Sequence, residues 1–250
     1  PYLNRFLSAD TIIPDPYEPL SYDRYIYVRN NPVNGTDPTG HCYKMINGEL
    51  APQCVKYWKD YTAALIKPQI VSRSEWGAHE PGSIPLINGA EFNEGRYSKN
   101  NEEGYMPYSE KYPGMTLDEI LDTIVIHHTA TENDTVLSLQ EKEMANGYYD
   151  LPYQYVISPD GTIYEGRSID VRGAHVQDGN TGKIGVALLG DFRSNTPSEA
   201  QYQSAVKLAK WLDVKYGIEE LGGHNEFNAT ICPGPNAQTL TDRLKGSFAK

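Results

Sequence analysis

Two short apolar runs, Thr123–Ile126 and Ile184–Leu189, set the frame for this chain. Each has the size of a buried strand, and the signals around them alternate between strand and helix. Thr116 with Glu119 reads as a capping box that opens a short helix just before the first run. Residues 134–146 carry Val136, Leu137, Leu139 and Met144 at helical spacing, with Gly147 as a stop. Tyr153–Ser158 and Thr162–Glu165 are strands joined by Pro159-Asp160-Gly161, a hairpin signal. Ser198–Tyr216 reads as a helix entered near Thr196-Pro197 and closed by Gly217. The expected fold class is therefore α/β: a mixed central β-sheet flanked by helices.

The chain has 250 residues and 39% hydrophobic content, enough to bury a core in one or two domains. No stretch approaches the apolar length of a membrane-spanning helix. A formal net charge of -11 argues against sequence-independent nucleic-acid binding, which runs on Lys and Arg contacts to phosphate. The first residue is Pro1, and no basic segment with an apolar stretch follows it. No signal peptide is expected in this chain, which reads as a piece of a longer polypeptide, and export signals, if they exist, would lie upstream. Of the three Cys, Cys42 and Cys54 lie close enough in sequence to pair, and a disulfide or two free thiols are equally open readings.

Residues 1–41 differ in character. They are rich in Pro, Asn, Asp and Tyr, with turn pairs at Asn31-Pro32, Asn34-Gly35, Asp37-Pro38 and Thr39-Gly40, around a β-like stretch from Tyr25 to Val28. The segments Arg5–Asp10, Arg24-Tyr25, Tyr27-Val28, Asn30–Asn34 and Asp37–Gly40 resemble the C-terminal end of the core domain of Rhs/YD-repeat proteins. In that family a variable effector follows this stretch, often released just after it. The resemblance implies that residues from about 41 onward are cargo. The expected division is 1–41 as the end of an Rhs core, 42–69 as a connector with a helix from Val55 to Ile66, and 70–250 as the effector domain. Within that domain, residues 80–116 read as a long loop or insertion.

The six His are informative by placement. His127 and His128 end the first apolar run, and alternation along a strand sends them to opposite faces. Far downstream, His224 and Cys232 are separated by seven residues, and Pro233-Gly234 follows, a loop able to fold back so that both meet one ion. Imidazole nitrogen and thiolate sulfur are donors that zinc prefers. Taken alone, either element is a weak signal. A His at a strand end is commonly structural, and a small Cys is a common filler.

Together with five further segments they form a pattern. Ser72–Ala78, Ile124–Ala130, Pro152–Ile157, Asp160–Arg167, Gly173–His175, Ile184–Phe192 and Gly223–Gly234 occur in order. The pattern closely resembles the peptidoglycan recognition protein and N-acetylmuramoyl-L-alanine amidase family, over Val71 to about Ala237. The resemblance implies Zn2+ held by His127, His224 and Cys232. It implies Tyr153 and Thr230 as catalytic residues. His175 matches a cleft-wall His and not a ligand. His128, next to the first ligand, is placed with it at the substrate cleft as a packing or hydrogen-bonding residue. Glu226, after the second ligand, is either a support for it or a solvent-facing carboxylate. The stretch from Ala78 to Thr116 is longer than the family norm and bears on substrate preference.

The implied activity is hydrolysis of the amide between N-acetylmuramic acid and L-alanine of bacterial peptidoglycan. Joined to the Rhs resemblance, it implies a toxin secreted or delivered to the periplasm or cell wall of a target bacterium. The expected partners are peptidoglycan, the upstream Rhs core and a cognate immunity protein, with no nucleic acid and no membrane span. Three rivals remain at this stage, of which the blandest is a structural zinc that merely staples loops and would take a fourth protein ligand. The second is a non-catalytic peptidoglycan-binding module, which would typically lack Cys232. The third is a nuclease effector, which the acidic balance disfavours.

Overall fold

The computed structural model describes residues 35–36, 44–45, 64, 66–83 and 105–248. The chain divides into two compact units, Pro1–Ile66 and Lys67–Ala249. In the first, Gly35–Thr36 pairs antiparallel with Lys44–Met45. The expected Tyr25–Val28 strand and the Cys42/Cys54 pair lie outside the described residues, as does nearly all of the expected 55–66 helix.

The second unit is built on a six-stranded sheet. Its strands are β1 (Ile70–Val71), β2 (Thr123–His128), β3 (Tyr155–Ile157), β4 (Ile163–Glu165), β5 (Lys183–Leu188) and β6 (Glu220–Gly223). They lie in the order β1-β4-β3-β5-β2-β6. Only the β3–β4 hairpin is antiparallel; every other neighbour is parallel. The helices are α1 (Arg73–Trp76), α2 (Tyr108–Lys111), α3 (Val136–Ala145), α4 (Glu199–Tyr216) and α5 (Pro235–Phe248). The sheet is mixed and flanked by helices, as the alternation of signals led us to expect. α2 shows that the 80–116 stretch carries a helical turn of its own.

Alternation along the strands sorts the core into two layers. Ile124, Ile126, Ile184, Val186 and Leu188 pack with Leu208 and Leu212 of α4 and Leu240 and Leu244 of α5. Val156 and Ala187 face the other way and pack with Val136 and Leu139 of α3. Full burial of each large aliphatic side chain contributes about 1.5–3 kcal/mol, so the first layer dominates stability. α4 starts where Ser198 and Gln201 cap each other reciprocally. The Gln201 N–H donates to Ser198 Oγ, and the Ser198 N–H to Gln201 Oε1, both at 3.0 Å. The Gln201 side-chain amide also donates to the carbonyls of Ile157 and Leu189, which pins the helix to the sheet.

Sheet register matters for the site. Ile126 of β2 is opposite Gly223 of β6. Because the two strands are parallel, the next residue on each, His127 and His224, comes at the same carboxyl end of the sheet. Parallel sheets commonly place their sites at this carboxyl edge.

Candidate metal centre

His127 is 1% exposed, on the sheet face covered by α3. His224 begins a single 3-10 turn, His224–Glu226, directly after β6. Glu226 closes that turn, accepting the Gly223 N–H at 2.8 Å and the Gln238 amide at 3.0 Å, and pairs with Lys245 of α5. Cys232 lies further along the same loop, where its N–H donates to Thr230 Oγ1 at 3.2 Å. One donor atom from each of His127, His224 and Cys232 falls within 4.8 Å of the others. Cys232 Sγ approaches His127 Nδ1 to 3.6 Å.

The hydrogen bonds indicate which nitrogens are free. Asn228 Oδ1 accepts the Gln177 backbone N–H at 2.9 Å, so that atom must be the amide oxygen. It lies 3.0 Å from His224 Nε2, which must then be the protonated nitrogen. The lone pair of His224 is left on Nδ1. The other nitrogen of His127, Nε2, lies 3.0 Å from His175 Nδ1.

Burial and the neighbouring imidazoles hold His127 well below the usual His range, so it is neutral at pH 7. Burial also lowers His224. It pushes the Cys232 thiol up to about 11, so the thiolate forms only where a cation draws the proton off. Two neutral imidazoles and one such thiol are a donor set suited to zinc. Among the described residues this group holds three protein donors, the number that leaves a tetrahedral position open.

Tyr153 sits beside the cluster, its ring centroid 5.0 Å from that of His127. Burial, reinforced by the Glu143 carboxyl and the Cys232 thiol, holds the phenol well above its ordinary range. It therefore keeps its proton and can donate it. A buried polar frame fixes the segment leading to it. Asp150 pairs with Arg73 of α1 at 3.0 Å and accepts the Gln140 amide and the Leu151 N–H, both at 2.8 Å. The fully buried Arg167 donates from its side chain to the carbonyls of Leu151 and Arg172, and its backbone N–H donates to the Tyr153 carbonyl at 2.8 Å.

The remaining expected site residues divide. His175 is buried behind His127, ring edge to ring face, with centroids 4.9 Å apart. His128 points to the opposite face of β2, where its Nδ1 accepts the Phe192 N–H at 3.2 Å and its ring lies against Phe192. Sequence reasoning overlooked Asn228, Asp150 and Arg167. Asn228 stands four residues after His224, a spacing that points back to it across one turn of chain.

The sequence profile of the N-acetylmuramoyl-L-alanine amidase family matches residues 117–235. A peptidoglycan-recognition protein of Drosophila simulans is 31% identical over 140 residues, which is 52% of this chain and 76% of that protein. The chain belongs to the peptidoglycan-recognition protein and N-acetylmuramoyl-L-alanine amidase family. Another member, peptidoglycan-recognition protein SC2 of Drosophila melanogaster, is 29% identical over 185 residues, 69% of this chain and 84% of that protein. Among solved structures of the family, the amidase LysC from Clostridium intestinale superimposes with a TM-score of 0.53 at 26% identity, covering 73% of this chain and 98% of that one. Drosophila peptidoglycan recognition protein SD superimposes with a TM-score of 0.53 at 25% identity, covering 71% and 95%. Among the described residues no helix is long and apolar enough to cross a membrane.

Proposed function

We propose that this chain is a zinc-dependent N-acetylmuramoyl-L-alanine amidase that cuts the bond between N-acetylmuramic acid and the L-alanine of the peptide stem. The observation that carries the reading is the convergence of His127, His224 and Cys232, two imidazoles and a thiol, within 4.8 Å. A zinc ion held there supplies Lewis acidity for an amide carbonyl and lowers the pKa of water to about 7. The protein's own groups do the rest. Tyr153, neutral and partly buried, donates its phenolic hydrogen bond to the oxygen that gains charge as the carbonyl carbon becomes tetrahedral. Thr230 Oγ1 accepts the Cys232 backbone N–H and so helps fix the loop that carries the thiol. The frame around Asp150 and Arg167 keeps Tyr153 from drifting, which preserves alignment at the reacting bond.

Members of this family that only bind peptidoglycan are the competing reading. The presence of Cys232 beside Tyr153 favours the enzyme. Mass spectrometry of products from purified peptidoglycan decides: free stem peptides beginning with L-alanine are expected, together with one equivalent of bound zinc. Intact glycopeptides would leave only a binding module. Cys232→Ser and His127→Ala are expected to abolish turnover. Tyr153→Phe is expected to retain zinc and lose at least ten-fold in rate, since one such donor contributes about 2.7–4 kcal/mol. Near-normal turnover in Tyr153→Phe would remove the phenol from the mechanism.

The Rhs-like segments in residues 5–40 support a biological setting, that of an antibacterial effector carried behind an Rhs core. Expression in a bacterial periplasm is then expected to lyse cells, and a cognate immunity protein to prevent it. Survival of periplasmic expression with active protein present would argue against that setting.

A further inference from the structure

His175 is buried, conspicuous and without a chemical step of its own. Its Nδ1 lies 3.0 Å from Nε2 of His127, while the other nitrogen of His127 faces Cys232. Its own Nε2 is buried and makes no well-formed hydrogen bond, although the Lys183 backbone lies close enough to favour a proton on the ring. Its backbone is fixed, since Asn180 Oδ1 accepts the N–H groups of both His175 (2.7 Å) and Val176 (2.8 Å). Its ring is clamped as well. A Cβ added at Gly173 would come within 2.5 Å of the ring, and one at Gly185 within 2.7 Å. Two glycines without a Cβ therefore let this imidazole pack closely against the backbone beside His127.

A neutral imidazole has one proton for two nitrogens. If His127 is to offer a lone pair at Nδ1, its proton must sit on Nε2 and be donated to His175 Nδ1. His175 must then carry its own proton on Nε2. Asn228 performs the same service for His224 with an amide oxygen, which can only accept. At His127 the accepting group is another imidazole, packed closely against Gly173 and Gly185, with its Nδ1 facing His127 Nε2.

We propose that His175 is a positioning residue for the metal centre: clamped by Gly173 and Gly185, it accepts the Nε2 proton of His127 and so holds His127 as an Nδ1 ligand. The inference rests on the amidase reading only in taking His127 as a ligand. It adds a residue that acts through His127 and not as a ligand. Groups that orient a metal-bound His typically change metal affinity about 10–100-fold when removed.

The test uses the full chain freed of metal by chelation. Zn2+ affinity is measured by competition with a chromophoric chelator for the wild type, His175→Leu and His175→Asn. The Asn carboxamide places an acceptor oxygen where Nδ1 of His175 stood, whereas Leu fills the space with no acceptor. The expected result is a loss of about 10–100-fold in His175→Leu and restoration to within about three-fold of wild type in His175→Asn. Equal affinity in wild type and His175→Leu overturns the proposal, and so does an Asn variant as weak as Leu. Long-range 1H–15N spectra of the wild type give a reading that does not depend on how the variants fold. Both His127 and His175 are expected to be protonated at Nε2, and a proton on His127 Nδ1 overturns the assignment. Failure of the wild type to bind Zn2+ would defeat the amidase reading, and this inference with it. Tight wild-type binding that is indifferent to His175→Leu would defeat this inference alone.

Discussion

Glu143 lies on α3, partly buried, and its charge is felt at the Tyr153 phenol. Burial raises its carboxyl to about 7, with Lys142 opposing and Asp134 adding to the effect. A carboxyl raised in the folded state binds its proton more tightly there than in the unfolded chain. Its contribution to stability is therefore complete below about pH 4.5 and is lost as pH rises through 7. Allowing for its partial exposure, the loss is on the order of 2 kcal/mol. Glu143→Gln is expected to flatten the fall in melting temperature between about pH 4.5 and 7 relative to wild type. Parallel curves for the two proteins would show that the carboxyl is not raised. At this scale the sequence singled out the three residues that the fold brings together as a candidate metal centre, because His and Cys are few and their types are chemically specific. Asn228, His175 as a hydrogen-bond partner and the buried Arg167 were hidden, since Asn and Arg occur throughout the chain and only the fold reveals which are enclosed.

Among the elements, α1 shows how a four-residue helix can matter. Arg73 at its start reaches Asp150, the Gly166 carbonyl (2.6 Å) and the His79 carbonyl (2.9 Å), so one guanidinium joins three segments. Removing the carboxylate partner leaves a charge without its counterion and the Leu151 N–H and Gln140 amide short of an acceptor. Asp150→Ala is expected to cost about 3–5 kcal/mol, read as a lower denaturant midpoint at unchanged slope. A loss below about 1 kcal/mol would mean that water substitutes for the carboxylate. β2, β5, α3 and α4 were legible in the sequence because they carry continuous or periodic apolar residues. β6 was not: Glu220-Leu221-Gly222-Gly223 offers one apolar side chain and two residues that disfavour strands. β1 is only two residues long. α5 alternates its buried Ala237, Leu240 and Leu244 with Thr, Gln and Asp, a thin signal after a Pro-Gly-Pro turn.

Across the whole molecule, the candidate metal donors come from β2 and from the loop after β6, so an ion held there would link elements 105 residues apart in sequence. Anything bound only by the folded form stabilises it by mass action, by about 2.7 kcal/mol at a hundred-fold excess over Kd. Chelation is expected to lower the melting temperature by several degrees, with recovery on adding Zn2+ but not Mg2+, whose preference is for oxygen donors. An unchanged melting curve after verified removal of metal would show that no ion joins these elements.

The pairing of Ile126 with Gly223 has one more consequence. Neither β2 nor β6 contains a grip of its own, and a slip of one residue between them would turn an imidazole away from its counterpart. The capacity to capture an ion therefore arises only after two remote stretches have docked in correct alignment. Ion capture would mark molecules that have completed the sheet, and incompletely folded chains would stay inert as well as unstable.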